Sequence, residues 1–106
     1  MPNRIFQEIE LHQPYSLHQS FTFSTPLGPA QDALTLSGMD VANKISFVIE
    51  LADAYIEFDG DATTSRMFMP IGTSYSDDGI TIDTRISILR STTTNARIRG
   101  IAWGRQ

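Results

Sequence analysis

The residues of this chain that could do acid–base or metal chemistry are few. Its two histidines, His12 and His18, lie six residues apart across Pro14, and a catalytic or zinc role would require imidazole or carboxylate partners brought close by the fold. The chain has no cysteine, no zinc-ligand spacing, no phosphate-binding glycine loop and no Gly-x-Ser-x-Gly elbow. We therefore interpret both histidines as surface residues at strand ends. We predict no catalytic residue, no metal site and no cofactor.

Acidic residues offer two further chemical hypotheses. A calcium site would need several aspartates at one end of the fold, and Asp59-Gly60-Asp61 resembles part of a calcium loop but lacks further ligands and a closing glutamate. The simpler interpretation is that aspartates in turns cap local backbone amides. Glu50 and Glu57 could mimic a glycosidase carboxylate pair, although surface ion pairs with late arginines explain them more simply. The aspartates in question are Asp53, Asp59, Asp61, Asp77, Asp78 and Asp83.

One stripe of residues has the composition of a protein interface. Arg97, Arg99 and Trp103 share one face of the last predicted strand, and arginine and tryptophan combine apolar area with hydrogen-bond donors. The alternative is an exposed sheet edge protected by charge, with Trp103 lying over the rim of the core. We predict these three residues as interface residues, together with Phe6 in the N-terminal segment.

Composition limits the classes of protein that this chain can belong to. Its 106 residues are enough for one domain, and 41% hydrophobic with 19% charged residues is typical of a globular protein. No apolar run is long enough for a signal peptide or a membrane span, so we expect a soluble protein that is not exported and does not bind membranes. A net charge of -4 argues against general nucleic-acid binding.

The charges are segregated along the chain. The first 83 residues carry 12 acidic and three basic side chains, a net charge of −9, whereas the last 23 residues carry five arginines and no acid. Either the late arginines pair across the sheet with the acidic strands, or the two charge types form opposite faces that meet between subunits or on an acidic particle. The sequence leaves both interpretations open.

Apolar residues recur with a period of two along most of the chain, which is typical of half-buried strands. Residues 55–65 and the apolar run after them predict a hairpin at the centre of the fold, and residues 44–51 form the strongest strand pattern. The short connection at Asp53-Ala54 predicts a second hairpin, between 44–51 and 55–58. The predicted strands are 4–11, 15–25, 33–37, 44–51, 55–58, 66–71, 80–83, 85–90 and 96–103.

Eight or nine short antiparallel strands with no helical pattern predict an all-β fold. We expect a single β-sandwich, jelly-roll-like or Greek-key, that spans residues 1–106. Pro14 and the Pro26–Pro29 break set apart residues 1–14 as an N-terminal strand or arm.

The second half of the chain resembles the small β-sandwich structural proteins of tailed bacteriophages. In that family a tyrosine- and isoleucine-containing strand precedes a threonine and serine tip, and a final strand ends near a tryptophan; here Glu57 and Asp59 replace glycines of the pattern. The matching stretches are Tyr-Ile-Glu-Phe-Asp-Gly at 55–60, Ala-Thr-Thr-Ser at 62–65, Asp-Gly-Ile at 78–80, Ile-Ser-Ile at 86–88 and Ala-Arg-Ile-Arg-Gly-Ile-Ala-Trp at 96–103.

The resemblance implies a virion component without active-site residues. It implies a capsid decoration (cement) protein on the outer shell, assembled in the host cytoplasm, whose partners are the major capsid protein or other virion proteins. It also implies a homo-oligomer, with a trimer favoured. The alternatives are a neck, tail or fibre component, and a carbohydrate-binding host-recognition module that uses Tyr55, Tyr75 and Trp103.

Overall fold

The structure, a computed structural model, describes residues 17–25 and 29–106. This part of the chain contains no helix and folds into two four-stranded antiparallel sheets. We call β1-β8-β3-β6 the front sheet and β2-β7-β4-β5 the back sheet. The strands are β1 (Leu17–Ser24), β2 (Gln31–Thr35), β3 (Val41–Glu50), β4 (Ala54–Phe58), β5 (Met67–Met69), β6 (Ser74–Asp77), β7 (Arg85–Arg90) and β8 (Arg97–Arg105).

The predicted all-β sandwich is confirmed, and the strand order gives its topology. Each strand is followed by a strand of the opposite sheet, except that β4 and β5 are neighbours in the back sheet. Eight strands arranged as 1-8-3-6 and 2-7-4-5 have the connectivity of a jelly roll. The predicted strand 4–11, the N-terminal strand or arm 1–14 and the interface residue Phe6 lie outside the described residues.

The core between the sheets is built from the strand faces that the sequence predicted. Inward-facing isoleucines are fully buried in both sheets, among them Ile45, Ile49, Ile56 and Ile98. In β1 and β8 the two faces alternate as expected, with Phe21 inside and hydroxyl or basic side chains outside. Each buried isoleucine removes enough apolar area from water to contribute roughly 1.5–3 kcal/mol, so the core carries most of the stability of the sandwich.

The predicted hairpin between residues 44–51 and 55–58 is wrong. β3 lies in the front sheet and β4 in the back sheet, so the short connection crosses the sandwich instead of joining neighbours. Leu51 makes the crossing possible because its φ of 74° is left-handed and turns the chain sharply after β3. The other predicted hairpin is confirmed, since β4 pairs with β5 and Tyr55 lies opposite Phe68. It lies at one edge of the back sheet, however, and not at the centre of the fold as predicted.

Two strand assignments also differ from the prediction. Residues 80–83 make only an isolated bridge, in which Ile82 and Ala42 exchange two backbone hydrogen bonds of 2.8 Å. β6, which was not predicted, pairs with β3 although three of its four residues are polar. Only Tyr75 ties β6 to the interior, where its ring stacks on Phe47 with centroids 5.2 Å apart, so the sequence pattern was too weak to indicate a strand.

Three of the six turn aspartates cap backbone amides. Asp77 caps a local one, the Gly79 N–H at 2.8 Å, as predicted, whereas Asp59 and Asp53 cap amides far away along the chain. The Asp59 carboxylate accepts hydrogen bonds from the N–H groups of Asp83, Thr84 and Arg85 and from the Thr84 hydroxyl, at 2.7 to 3.2 Å. Partial burial raises the pKa of Asp59, but these four hydrogen bonds outweigh it and the net pKa lies below the usual value. Asp53 caps the N–H of Ile71 at 2.7 Å in the same way.

Candidate docking face

The candidate functional site is the outer face of the front sheet, where the strand register assembles residues from four strands. β8 lies between β1 and β3, so each of its outward side chains has a neighbour on either side. Ile101 lies between Ser20 and Ser46, and Arg99 lies between Thr22 and Val48. One row further along, Trp103 lies between His18 and Lys44.

These rows enclose a shallow, open concavity of about 590 Å³. Val48, Ile101 and Trp103 contribute apolar surface, Arg99 contributes a positive charge, and the other outward side chains that line the concavity are short and hydroxyl-bearing. A volume of this size is within the range of ligand sites and of the recess that receives one anchor residue of a protein partner. The hydroxyl-bearing residues in the lining are Ser20, Thr22, Ser46 and Ser74.

Trp103 is held in place at one end of the concavity. The Lys44 Nζ lies 4.8 Å from the centroid of the Trp103 ring, a cation–π contact, and the ring is half-buried. A lysine on the ring fixes the rotamer of the tryptophan without covering it fully. Trp103 is therefore a preorganised, partly exposed aromatic surface.

A glutamate fixes the arginines of the stripe. Arg97 donates from Nε to the Glu50 carboxylate at 3.1 Å, and Arg99 Nη2 lies 3.1 Å from the same carboxylate oxygen. The hydrogen bond from Arg97, together with the charges of both guanidinium groups, lowers the pKa of Glu50 despite an opposing effect of desolvation. Glu50 therefore remains ionised and holds Arg99 against the rim of the concavity, while the side chain of Arg99 stays 55% exposed.

The structure brings together part of the predicted interface stripe. Arg99 and Trp103 line the concavity, whereas Arg97 lies beyond it, beside Glu50. The alternative of a charge-protected sheet edge is wrong, because β8 is an interior strand of the front sheet. The period-of-two pattern places Ile101 on this face of β8, although it was not predicted as an interface residue. The hydroxyl-bearing residues of the other strands were missed because only the strand register brings them to this face.

Three of the five late arginines, Arg85, Arg97 and Arg99, pair with acidic residues within the described part of the chain, as one of the two charge interpretations predicted. Besides the Glu50 pairs, Arg85 Nη1 lies 2.7 Å from Asp32 and 2.9 Å from Asp61, and these contacts raise its pKa further. The charge segregation along the sequence is thus partly neutralised in the fold.

The other predicted chemical groupings are not assembled. Tyr55 packs at a tilted angle against Phe68 on the back sheet and Tyr75 stacks inside on Phe47, so neither converges with Trp103. Glu57 and Glu50 belong to different sheets and each contacts an arginine, so they do not form a carboxylate pair. His18 is exposed beside Trp103, and His12 lies outside the described residues.

The outer face of the back sheet is partly covered by its own chain. The loop 59–66 folds over this face, where the N–H of Ala62 donates to the buried Ser87 hydroxyl at 3.0 Å. Beyond the loop, Tyr55 and the 49% exposed Phe68 remain accessible. Phe68 is therefore an exposed aromatic residue far from the front sheet's outer face, and it is a useful control position.

Comparisons of this chain with protein-family models, with curated proteins and with solved structures found no significant match. Among the described residues, no three or more His, Asp or Glu side chains are grouped as metal ligands would be. The same part of the chain has no helix long and apolar enough to cross a bilayer. The site is therefore interpreted from its own geometry.

Proposed function

We propose that this chain is a bacteriophage virion structural protein, a capsid decoration (cement) protein that docks on the outer shell through the outer face of its front sheet. The choice of the docking face rests on one observation, the concavity in which Trp103, Ile101 and Arg99 meet. The phage assignment rests on the resemblance of residues 55–103. The jelly-roll topology supports it by analogy, because viral capsid proteins and lectins both use this fold.

The proposed mechanism is burial of a preorganised surface. A shell subunit inserts an apolar or acidic side chain into the concavity, so that Trp103 and Ile101 lose contact with water and Arg99 gains a carboxylate or carbonyl partner. Because Lys44 and Glu50 already fix Trp103 and Arg99, little side-chain freedom is lost on docking. A protein that binds the assembled shell and not its separated subunits stabilises the shell by mass action.

Trp103→Ala and, separately, Ile101→Asp are expected to weaken binding to purified source particles at least tenfold, because each removes or charges the apolar part of the concavity. The measurement is co-sedimentation of the purified variants with particles stripped of this protein. Phe68→Ala, which removes an exposed aromatic ring from the back sheet, is the matched control and should bind like the unmodified protein. Full binding by Ile101→Asp, or a loss confined to Phe68→Ala, would reject the front sheet as the docking face.

The copy number of the chain per particle distinguishes a decoration protein from a neck, tail or fibre component. Quantitative mass spectrometry against the major shell protein should give near-stoichiometric copies for a decoration protein, and copies more than tenfold fewer for a neck, tail or fibre component. Absence from the particle would reject the virion assignment altogether.

A carbohydrate-binding role is the second candidate, and one observation favours it. An exposed tryptophan beside several hydroxyl side chains and an arginine in an open recess is also suited to a sugar ring, which stacks on aromatic faces and takes part in many hydrogen bonds. A glycan array with the purified chain tests this role. Binding that is lost in Trp103→Ala would establish it, and no binding to any glycan would remove it.

A further inference from the structure

The two sheets have four outer edges, and three of them carry features that discourage pairing with another strand. β2 has a register irregularity between Asp32 and Leu34 and an acidic side chain. β5 has only three residues and is followed by Pro70. β6 has four residues and ends in Asp77, with Asp78 next. Short strands, bulges, prolines and charges are the devices by which proteins protect sheet edges.

The fourth edge, β1, has none of these devices. Leu17–Ser24 is eight residues long, has an unbroken register with β8, and contains no proline, lysine, arginine or carboxylate. No described strand lies on its other side. A long, regular and uncharged edge strand is a template for another strand, and proteins seldom leave one exposed without use.

The direction of the free backbone groups of β1 follows from its ladder with β8. The Thr25 N–H donates to the Ala96 carbonyl at 2.8 Å, which continues the register beyond Ser24. Because hydrogen-bonded and non-hydrogen-bonded pairs alternate in an antiparallel ladder, the odd-numbered residues of β1 are the ones bonded to β8. The N–H and C=O groups of the even-numbered residues, His18, Ser20, Thr22 and Ser24, therefore point to the open side.

We propose that β1 is a pairing site for β1 of a second copy of this chain, in an antiparallel arrangement about a two-fold axis. The strand is suited to itself because none of its side chains is a carboxylate, lysine or arginine that would face its own copy. A two-fold contact uses the same edge of both copies. The β1 edge of each copy is then paired, so assembly stops at the dimer.

The register of the pairing is set by the same geometry. The outward faces of the two sheets must coincide, so even-numbered residues pair with even-numbered residues. The register centred on Phe21 uses every free group, with His18 opposite the partner's Ser24 and Ser20 opposite the partner's Thr22. The two front sheets then form one eight-stranded sheet, and both concavities face the same side. The half-buried Leu17 and Phe23 on the inner side gain cover from the partner.

This inference does not depend on the proposed function, and it differs from the trimer that the resemblance implied, since a trimer would leave a two-fold edge unused. The chain alone should dimerise with a dissociation constant on the order of 1–100 μM, as expected of a small interface made mainly of backbone hydrogen bonds.

Ser20→Pro tests the pairing, because proline removes one outward N–H and leaves the bonds of the odd-numbered residues to β8 intact. Analytical ultracentrifugation of the full chain should show a dimer whose dissociation constant rises at least tenfold in Ser20→Pro. Ser76→Pro is the matched control: the Ile49 N–H donates to Thr73 O, so by the same alternation the Ser76 N–H points away from β3 at the opposite edge. Ser76→Pro should leave the dimer unchanged.

A second variant and a second measurement test the pairing even if Ser20→Pro does not fold. If Ser20→Pro does not fold, Ser20→Lys with Thr22→Lys places like charges across the two-fold axis and should also give a monomer. Amide hydrogen exchange at His18, Ser20, Thr22 and Ser24 should slow as protein concentration rises. A monomer at all concentrations, a dimer insensitive to both variants, or protection of these amides that does not depend on concentration would overturn the proposal; the last result would mean that the chain's own segment covers the edge.

Discussion

Replacing Gly100 with alanine is expected to lower the free energy of unfolding by about 3 kcal/mol, a large part of the stability of a domain of this size. A β-carbon at this position would lie 2.7 Å from Cβ of Phe47 and would overlap the backbone carbonyl oxygen of Ser46. Neither neighbour can move freely, because both belong to β3 at the centre of the front sheet. β8 would have to shift away from β3 and loosen the core on one side and the concavity on the other.

Urea denaturation of Gly100→Ala measures this loss, with Gly79→Ala as the control. Gly79 lies in a turn, where an added β-carbon would meet only the Asp77 carboxylate at 3.6 Å, an ordinary contact distance. The control should change the free energy of unfolding by less than about 0.5 kcal/mol. Equal stabilities for the two variants would mean that β8 and β3 are farther apart at Gly100 than the structure shows.

Asp59→Ala is expected to lower the free energy of unfolding by a similar amount, about 3 kcal/mol. The substitution leaves the N–H groups of Asp83, Thr84 and Arg85 without their acceptor, and hydrogen bonds to a charged group are the stronger kind. It also places alanine at a φ of 60°, which aspartate tolerates better than alanine does. Asp78→Ala, at an exposed turn position, is the control and should be nearly neutral. Thermal or urea denaturation at pH 7 compares the two variants.

The pH dependence gives an independent test of the same carboxylate. Because the pKa of Asp59 in the folded chain is below its usual value of 3.8, its stabilising contribution is fully present above that value and is lost as the pH falls through the folded-state pKa. Asp59→Asn keeps the shape of the side chain and does not titrate. The difference in unfolding free energy between the unmodified protein and Asp59→Asn should therefore shrink below about pH 4. A difference that stays constant to pH 2 would show that the charge of Asp59 is not what stabilises the turn.

The sequence predicted the local structure well because the core faces of the strands follow a strict alternation. The period of two in β1, β3 and β8 identified the inward residues of these strands correctly. The polar turn after Phe58 identified the β4–β5 hairpin. The local cap that Asp77 makes on the Gly79 N–H was also predicted correctly. These are short-range properties, since each depends on residues next to one another in the chain.

The arrangement of strands could not be predicted in the same way. A short connection such as 51–53 is typical of a hairpin, and nothing in its composition indicates that Leu51 adopts a left-handed conformation and sends β4 to the opposite sheet. For the same reason, the concavity was only half predicted: Arg99 and Trp103 come from one strand, whereas Ser20, Ser46 and Ser74 come from three others. Side chains from four strands form one surface only when the pairing order is known.

The position of β8 in the front sheet has a consequence for how the chain acquires its structure. β1 and β3 do not touch as neighbours; both pair with β8, which is made long after either of them. While the chain is being synthesised, these two strands remain without their common partner, and among the ladders of the described residues only β4–β5 joins consecutive strands. Such long-range closure is slow, on the order of milliseconds to seconds, so the apolar inner faces of β1 and β3 are exposed to aggregation until residues 97–105 have been made.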